Sequence, residues 1–236
     1  MSKGLLNSMV LKNLFEDVDG KELLPSLIES GVITKEQVEE YYKANIKGQK
    51  QQKPTYSIIE DGVLVKFDKR DLDKNGGYVT PRGVVTIGKS AFEKCFDLRK
   101  IHLGRDVVEI ESRAFDDCRY LKRVTMTDSV LKIGPYAFGS CLCLGDLKLS
   151  KNIKCIPMYA FVNCDSLQEI MLPEKVETID DYAFGNCENL TTISTPTDNL
   201  LWVHSDAFEG TPIKKDFMRK FKEKQELQKQ EKGNTK

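Results

Sequence analysis

The chain has little of what catalysis, metal binding or membrane insertion usually requires. Its 236 residues include two histidines, His102 and His204, and one tryptophan. Lysine plus arginine and aspartate plus glutamate both number 36, so the formal net charge is zero, which argues against a general binder of nucleic acid. No apolar run approaches the roughly 18 residues of a membrane-spanning helix. The composition therefore favours neither an integral membrane protein nor a polyanion binder.

The sequence also lacks the motifs from which active sites and metal centres are built. It contains no Cys-x-x-Cys pair, no Gly-rich phosphate-binding loop and no nucleophile elbow. We therefore predict a non-enzymatic protein with no catalytic residue, no metal ligand, no cofactor and no small-molecule substrate.

The N-terminal sequence and the cysteines indicate a reducing compartment. Residues 1–20, interrupted by Asn7 and Lys12, have neither the apolar core nor the small-residue cleavage site of a signal peptide. The seven cysteines are an odd number and do not form the framework of a small secreted protein. We predict a cytoplasmic location, with the cell surface or secretion by a non-classical route as the alternative.

The chain does contain one motif that is repeated six times between residues 84 and 213. The motif centres on an Ala-Phe pair, and successive pairs are 23 residues apart four times and then 24 residues apart. A constant period of this length indicates a solenoid, in which each repeat is one turn of a coil. The pairs are Ala91-Phe92, Ala114-Phe115, Ala137-Phe138, Ala160-Phe161, Ala183-Phe184 and Ala207-Phe208.

Within a repeat, the apolar spacing predicts a strand and a tight bend. Ile101 and Leu103 alternate with polar neighbours, which is typical of a half-buried strand. The segment 90–92 is predicted to bend through a short helical or 3₁₀ turn. A single turn buries too little apolar surface to offset its backbone entropy, so the turns must stack and both ends of the coil must be capped.

Five of the cysteines occupy one column of the repeat. We interpret them as buried thiols that act as small apolar side chains. Neighbouring turns lie close enough for a disulfide, but side chains that project in parallel point the wrong way to form one. The column consists of Cys95, Cys118, Cys141, Cys164 and Cys187, and Cys143 and Cys155 lie outside it.

The pattern Ile-Gly-x-x-Ala-Phe-x-x-Cys-x-x-Leu-x-x-Ile-x-Leu resembles the BspA-like, or Treponema pallidum-type, leucine-rich repeat over about residues 54–213. The resemblance implies an α/β repeat solenoid, a right-handed coil with a parallel β-sheet on its concave side. It also implies an interaction scaffold without catalytic residues. Known members are often secreted or anchored at the cell surface, which differs from the compartment predicted above.

We divide the chain into four parts. Residues 1–53 form a small helical segment ending in a polar linker, and this segment is either a cap or a separate docking module. Residues 54–83 form a β-hairpin cap and a rudimentary first turn, because Glu60-Asp61-Gly62 separates two strand-like runs. Residues 84–213 are the repeats, and residues 214–236 are a basic C-terminal capping helix and tail.

The outward-facing strand positions are the candidate binding surface, because the repeat leaves them free to vary. They predict contact with a protein partner that has an acidic surface, although ordinary solvated charges would give the same pattern. An adhesin at the cell surface is a second hypothesis, and nucleic-acid or membrane-surface binding through the basic C-terminal tail is a third. The candidate partner-binding residues are Arg99, Lys100, His102, Lys122, Arg123, Thr125, Asp146, Lys148, Glu169 and Met171.

Overall fold

The computed structural model describes residues 24–38, 56–194 and 200–233 of the chain. Residues 1–23 of the expected helical segment and the polar linker expected at its end lie outside the described residues.

Short strands form two parallel sheets along two sides of a coil. The strands of the first, the long-strand sheet, are three residues long, and their central residues point into the core. They are β3 (Gly77–Val79), β5 (Lys100–His102), β7 (Arg123–Thr125), β9 (Asp146–Lys148), β11 (Glu169–Met171) and β13 (Thr192–Ser194). This sheet corresponds to the one that the sequence assigns to the concave side.

The second, the short-strand sheet, begins with an antiparallel hairpin and continues with one two-residue strand per turn. Its strands are β1 (Ile58–Glu60), β2 (Val63–Lys66), β4 (Thr86–Ile87), β6 (Glu109–Ile110), β8 (Lys132–Ile133), β10 (Cys155–Ile156), β12 (Thr178–Ile179) and β14 (Trp202–Val203). Between parallel strands of either sheet the partner of a residue lies 23 or 24 positions along the chain, as in the pairs Lys100–Arg123 and Thr178–Trp202. The predicted repeat solenoid is thereby confirmed.

The phenylalanines of the repeat stack through the middle of the coil. All six rings are almost completely buried, and neighbouring ring centroids are between 4.7 and 5.4 Å apart. Phe67, which follows the hairpin, extends the stack by one ring at 4.4 Å from Phe92. At the other end Phe217 covers Phe208, and it belongs to the helix Lys214–Gly233. The predicted C-terminal capping helix is present.

The bend around each Ala-Phe pair contains a short turn, since Glu93 donates its N–H to the carbonyl of Ser90 at 3.0 Å, but the flanking backbone is not helical. Two residues in each of the first five turns of the coil adopt left-handed backbone angles, for example Ser90 at φ 58° and Lys94 at φ 57°. Between them, alternate backbone N–H groups donate to the next turn, as Phe92 does to Ala114 at 2.8 Å. The left-handed residues prevent a continuous helix, and the hydrogen bonds between turns offset their conformational cost. The predicted turn is therefore a single one that does not continue into a helix, and residue spacing alone does not reveal the left-handed residues that limit it.

The cysteine column is a ladder of free thiols. Four of its five members are buried, and Cys95 at the start is half-buried. The Sγ of Cys118 donates to the carbonyl of Phe92 on the preceding turn at 2.9 Å, and Cys187 repeats this contact with Phe161 at 3.1 Å. Burial raises the pKa of the Cys118, Cys141 and Cys164 thiols.

Both sheets are interrupted between the third and fourth turns. Among the described strands, β8 does not pair with β10, and β9 does not pair with β11. Pro157 explains part of this break, because proline has no N–H to donate. At the same position one turn later, Asp180 donates its N–H to Ile156 at 2.9 Å. The phenylalanine stack continues across the break, with Phe138 and Phe161 5.4 Å apart.

The described part of the N-terminal segment lies beside the short-strand sheet. The helix Leu24–Glu29 is followed by Gly31, which has φ 71°. Thr34 and Gln37 then form the reciprocal hydrogen bonds of a capping box. Ile33 is buried, and Lys35 forms an ion pair with Glu109 of β6. This segment therefore contacts the flank of the coil.

Candidate protein-interaction surface

All of the predicted binding residues except Arg99 and Lys122 occupy two columns on the outer face of the long-strand sheet. The pairing register aligns Lys100, Arg123 and Asp146 in one column, and aligns His102 with Thr125 and Lys148 in the other. All of these residues are exposed except Thr125, which is half-buried. The sheet holds their backbones about 4.8 Å apart from turn to turn.

Arg123 is already neutralised within the molecule. Its Nε donates to Asp146 Oδ2 on the next strand, and both side chains are about half exposed. An exposed ion pair of this kind contributes at most about 1 kcal/mol to stability. It fixes the orientation of both side chains, so Arg123 does not stand as an isolated cation on this face.

Arg99 leaves the strand face for the adjoining turn. Its guanidinium donates to the carbonyl of Phe96 and lies over the ring of Tyr120, with 4.9 Å between Cζ and the ring centroid. Arg119 lies over Phe96 in a similar way at 5.9 Å. Phe96 and Tyr120 are 44% and 49% exposed. Arginine and exposed aromatic rings thus form a rim beside the long-strand sheet.

Three lysines and one histidine remain available on this face. Lys100, Lys122, Lys148 and His102 are exposed, and within the described part of the chain no carboxylate lies within ion-pair distance of them. The long-strand sheet therefore carries uncompensated positive charge in its first three turns.

Two exposed apolar side chains lie on the outer face of the long-strand sheet. Val79 on β3 is 63% exposed and Met171 on β11 is 71% exposed. The sequence argument identified Met171 but missed Val79, Phe96 and Tyr120. Val79 could have been found, because it pairs with His102 and so lies in the same outward column.

The change of charge along the chain coincides with the break in the sheets. Residues 84–152 contain 12 basic and 9 acidic side chains, whereas residues 153–213 contain 2 basic and 10 acidic ones. Glu169 lies beyond the break, where β11 pairs only with β13 among the described strands. The structure therefore places Glu169 and Met171 in a separate section of the face from Lys100 and Lys148.

An open depression lined mostly by charged residues lies beside this surface. It measures about 420 Å³ and is lined by Lys69, Arg70, Leu72, Asp73, Gly76 and Asp97. An enclosed, largely apolar cavity would be typical of a small-molecule site. No described helix combines the length and the apolar composition needed to cross a lipid bilayer.

Comparison with known proteins identifies the same architecture in bacterial proteins. A leucine-rich repeat protein from Bacteroides ovatus is 29% identical, with a TM-score of 0.53 over 67% of this chain and 42% of that one. The Treponema pallidum leucine-rich repeat protein is 22% identical and has a TM-score of 0.53 over 67% of this chain and 86% of that one. A leucine-rich cell surface protein from Faecalibacterium prausnitzii is 30% identical over 57% of this chain and 45% of that one, with a TM-score of 0.47.

The chain spans less than half the length of the B. ovatus and F. prausnitzii proteins. A comparison with curated proteins finds no match. Proteins built from such repeats generally act through contacts with other proteins or with surfaces and are generally not enzymes.

The family model for the BspA type leucine rich repeat region matches residues 81–215 in six copies. The matched residues include all six stacked phenylalanines and the strands of the long-strand face from β5 to β13. The chain therefore belongs to the family of proteins with BspA type leucine rich repeats.

Proposed function

We propose that this protein is a non-enzymatic protein-interaction scaffold that binds an acidic surface of a protein partner through the long-strand sheet. The observation that carries the proposal is the group of exposed lysines, Lys100, Lys122 and Lys148, that has no carboxylate partner within the described residues. The core is regular from turn to turn, whereas the outward columns are irregular. Side chains that differ from turn to turn on a constant core can match the surface of one partner, which supports binding through those columns.

The rigidity of the face favours binding. Six strands at about 4.8 Å spacing give a surface roughly 25–30 Å long, which suits a protein better than a small molecule. Because the backbone is fixed by the stacked turns, little conformational entropy is lost on association. The lysines would attract and orient an acidic partner.

The rim and the apolar side chains supply the contacts that exclude water. Tyrosine and arginine are enriched among residues that dominate binding energy. Tyr120 and Arg99 already form a preordered pair next to Lys100 and Lys122. The Arg123–Asp146 pair would set register, since a partner must match one positive and one negative group at that point.

The proposed place of action is the cytoplasm. All seven cysteines are free thiols, which supports a reducing compartment. The nucleic-acid and membrane hypotheses gain no support from the C-terminal helix, because Phe217, Met218 and Phe221 pack against the core. Protease treatment of intact cells tests the location: protection of the chain is expected, and digestion would favour the surface.

The binding proposal is tested by charge reversal with a matched control. The variant Lys100→Glu/Lys148→Glu changes the long-strand face, and Lys89→Glu/Lys215→Glu makes the same change of charge at exposed positions elsewhere. Quantitative affinity capture from native lysate should lose its specific partners with the first variant and retain them with the second. Equal recovery with the wild type and both variants would show that this face is not the binding surface.

A further inference from the structure

Two adjacent large apolar side chains are exposed at the last strand of the short-strand sheet. Leu201 is 64% exposed and Trp202, the first residue of β14, is 46% exposed. The residues at the position of Trp202 in the earlier turns are polar or small: Thr86, Glu109, Lys132, Cys155 and Thr178. Isolated exposed apolar side chains are ordinary, but an adjacent pair that includes tryptophan indicates a contact site. We propose that residues 1–23 of this chain dock on this pair, the β14 patch.

The β14 patch continues a surface that the N-terminal segment already contacts. The strand register aligns Lys154, Glu177 and Leu201 in one column on successive turns. Glu29 lies 3.7 Å from Lys154, two turns before Leu201 in that column. The patch is therefore an extension of an interface that the chain forms with itself.

The described N-terminal segment approaches the patch when it is followed toward residue 1. Lys35 contacts Glu109 on the second turn, whereas Glu29 contacts Lys175, which lies just before β12 on the fifth turn. The sixth turn, which holds the patch, is one spacing of about 4.8 Å further. The helix Leu24–Glu29 alone covers about 7.5 Å at 1.5 Å per residue. The 23 residues that precede it are thus long enough to reach the patch.

The composition of residues 1–23 matches the patch. Residues 5–15 contain seven apolar side chains among eleven, and such a stretch gains free energy from burial. Residues 16–22 contain four acidic side chains and one basic one, whereas the helix Lys214–Gly233 contains eight basic and four acidic ones. That helix adjoins the patch, because Gln225 Nε2 donates to the carbonyl of Leu201 at 2.8 Å. Apolar and charge complementarity therefore support the same docking.

Tethering favours this occupant over a second copy of the chain. A segment joined to the coil beside its binding surface has an effective concentration on the order of millimolar. A second copy would match that only at a similar protein concentration. The patch belongs to the short-strand sheet, so the proposal does not depend on partner binding by the long-strand sheet.

The fluorescence of Trp202, the only tryptophan in the chain, reports directly on the patch. The variant Leu6→Asp/Val10→Asp of the full chain places two charges in the apolar stretch. It should shift the Trp202 emission to longer wavelength and raise its quenching by acrylamide at least about twofold, because the covering segment is released. Asn7→Asp/Asn13→Asp is the matched control, since it adds the same charges at polar positions of that stretch and should leave the emission unchanged.

All spectra are compared at one pH, because the ring of His204 lies 5.7 Å from that of Trp202 and its protonation would change the emission. Circular dichroism checks that each variant is folded, and the single variant Val10→Asp serves if the double variant is not. Analytical ultracentrifugation identifies the occupant: the wild type should protect Trp202 as a monomer. Unchanged emission in the first variant, an equal change in the control, or protection that appears only in a dimer would each overturn the proposal.

Discussion

Phe217 lies against Phe208 with the ring centroids 4.8 Å apart and the planes tilted by 58°. Phe208 itself stacks on Phe184 at 5.4 Å with a tilt of only 1°. The change of angle marks the end of the periodic stack, where a ring from a helix replaces the ring of a further turn. The helix Lys214–Gly233 thus prevents the last turn from exposing its aromatic face.

Removing this cap should destabilise the coil. Phe217→Ala deletes a ring packed on the end of the core and should lower the free energy of unfolding by about 2–3 kcal/mol, somewhat less than for a fully buried phenylalanine. Leu227→Ala on the same helix is the control, because Leu227 is 60% exposed and should change stability by less than about 0.5 kcal/mol. Urea denaturation measures both values. Equal effects would mean that Phe217 does not cap the stack.

The thiol ladder should make stability fall at alkaline pH. Burial raises the pKa of Cys118, Cys141 and Cys164 in the folded state, whereas in the unfolded chain these thiols ionise near pH 8.5, their ordinary value. Above that pH the unfolded state releases protons that the folded state retains, so the free energy of unfolding should fall. Each thiol contributes up to about 1.4 kcal/mol per pH unit.

Urea denaturation from pH 7 to 10 with a reductant present measures this slope. Cys141→Ala removes one buried thiol and should make the slope shallower, although it lowers stability at pH 7. Cys143→Ala is the control, because Cys143 is half-buried and lies outside the ladder. A slope that is unchanged by Cys141→Ala would contradict the assignment.

The sequence predicted the periodic features well because a solenoid repeats every environment. The buried positions of Phe138 and Cys141 follow from spacing alone, as does the outward position of Lys100. The ion pair between Arg123 and Asp146 was harder to predict, because it depends on rotamers of adjacent turns. The place of Leu201 and Trp202 next to the surface that the N-terminal segment contacts was missed for a related reason: residues far apart in the chain become neighbours only when the register is applied to every column.

The sheet break could have been anticipated from one residue. Pro157 is at the same position of the repeat as Gly134, one turn earlier. There the N–H of Gly134 donates to the carbonyl of Ile110 at 2.7 Å. A proline there removes a hydrogen bond between turns. The interruption of the long-strand sheet at the same turn has no comparable residue to explain it.

The break should be visible in hydrogen exchange. Amides of residues 153–158 should exchange at least about tenfold faster than those of the equivalent residues 176–181, because β10 lacks the pairing with the preceding turn that β12 has. Pro157→Ala restores an N–H and should slow exchange in β10. Pro135→Ala is the control, since Pro135 lies one position later in its repeat and is exposed. Similar exchange in both segments would show that the turns are equally well paired.

Residues 24–38 should be held on the coil by Ile33. This side chain is 1% exposed. The ion pairs on either side of it lie on opposite sides of the sheet break. Lys35 pairs with Glu109 before the break, and Glu29 lies 3.7 Å from both Lys154 and Lys175 beyond it. Ile33→Asp would bury an unpaired carboxylate at a cost of several kcal/mol, which exceeds what these partly exposed ion pairs contribute. The segment should therefore detach.

Limited proteolysis with mass spectrometry measures the detachment. Cleavage within residues 24–38 should accelerate at least about tenfold in Ile33→Asp while the repeats stay resistant. Val32→Asp introduces the same charge one residue earlier, at a side chain that is 51% exposed, and should cleave at the wild-type rate. Equal cleavage of the two variants would mean that Ile33 does not anchor the segment. If only Ile33→Asp is cleaved and exchange at β10 also rises, the N-terminal segment stabilises the coil where its own hydrogen bonds are interrupted.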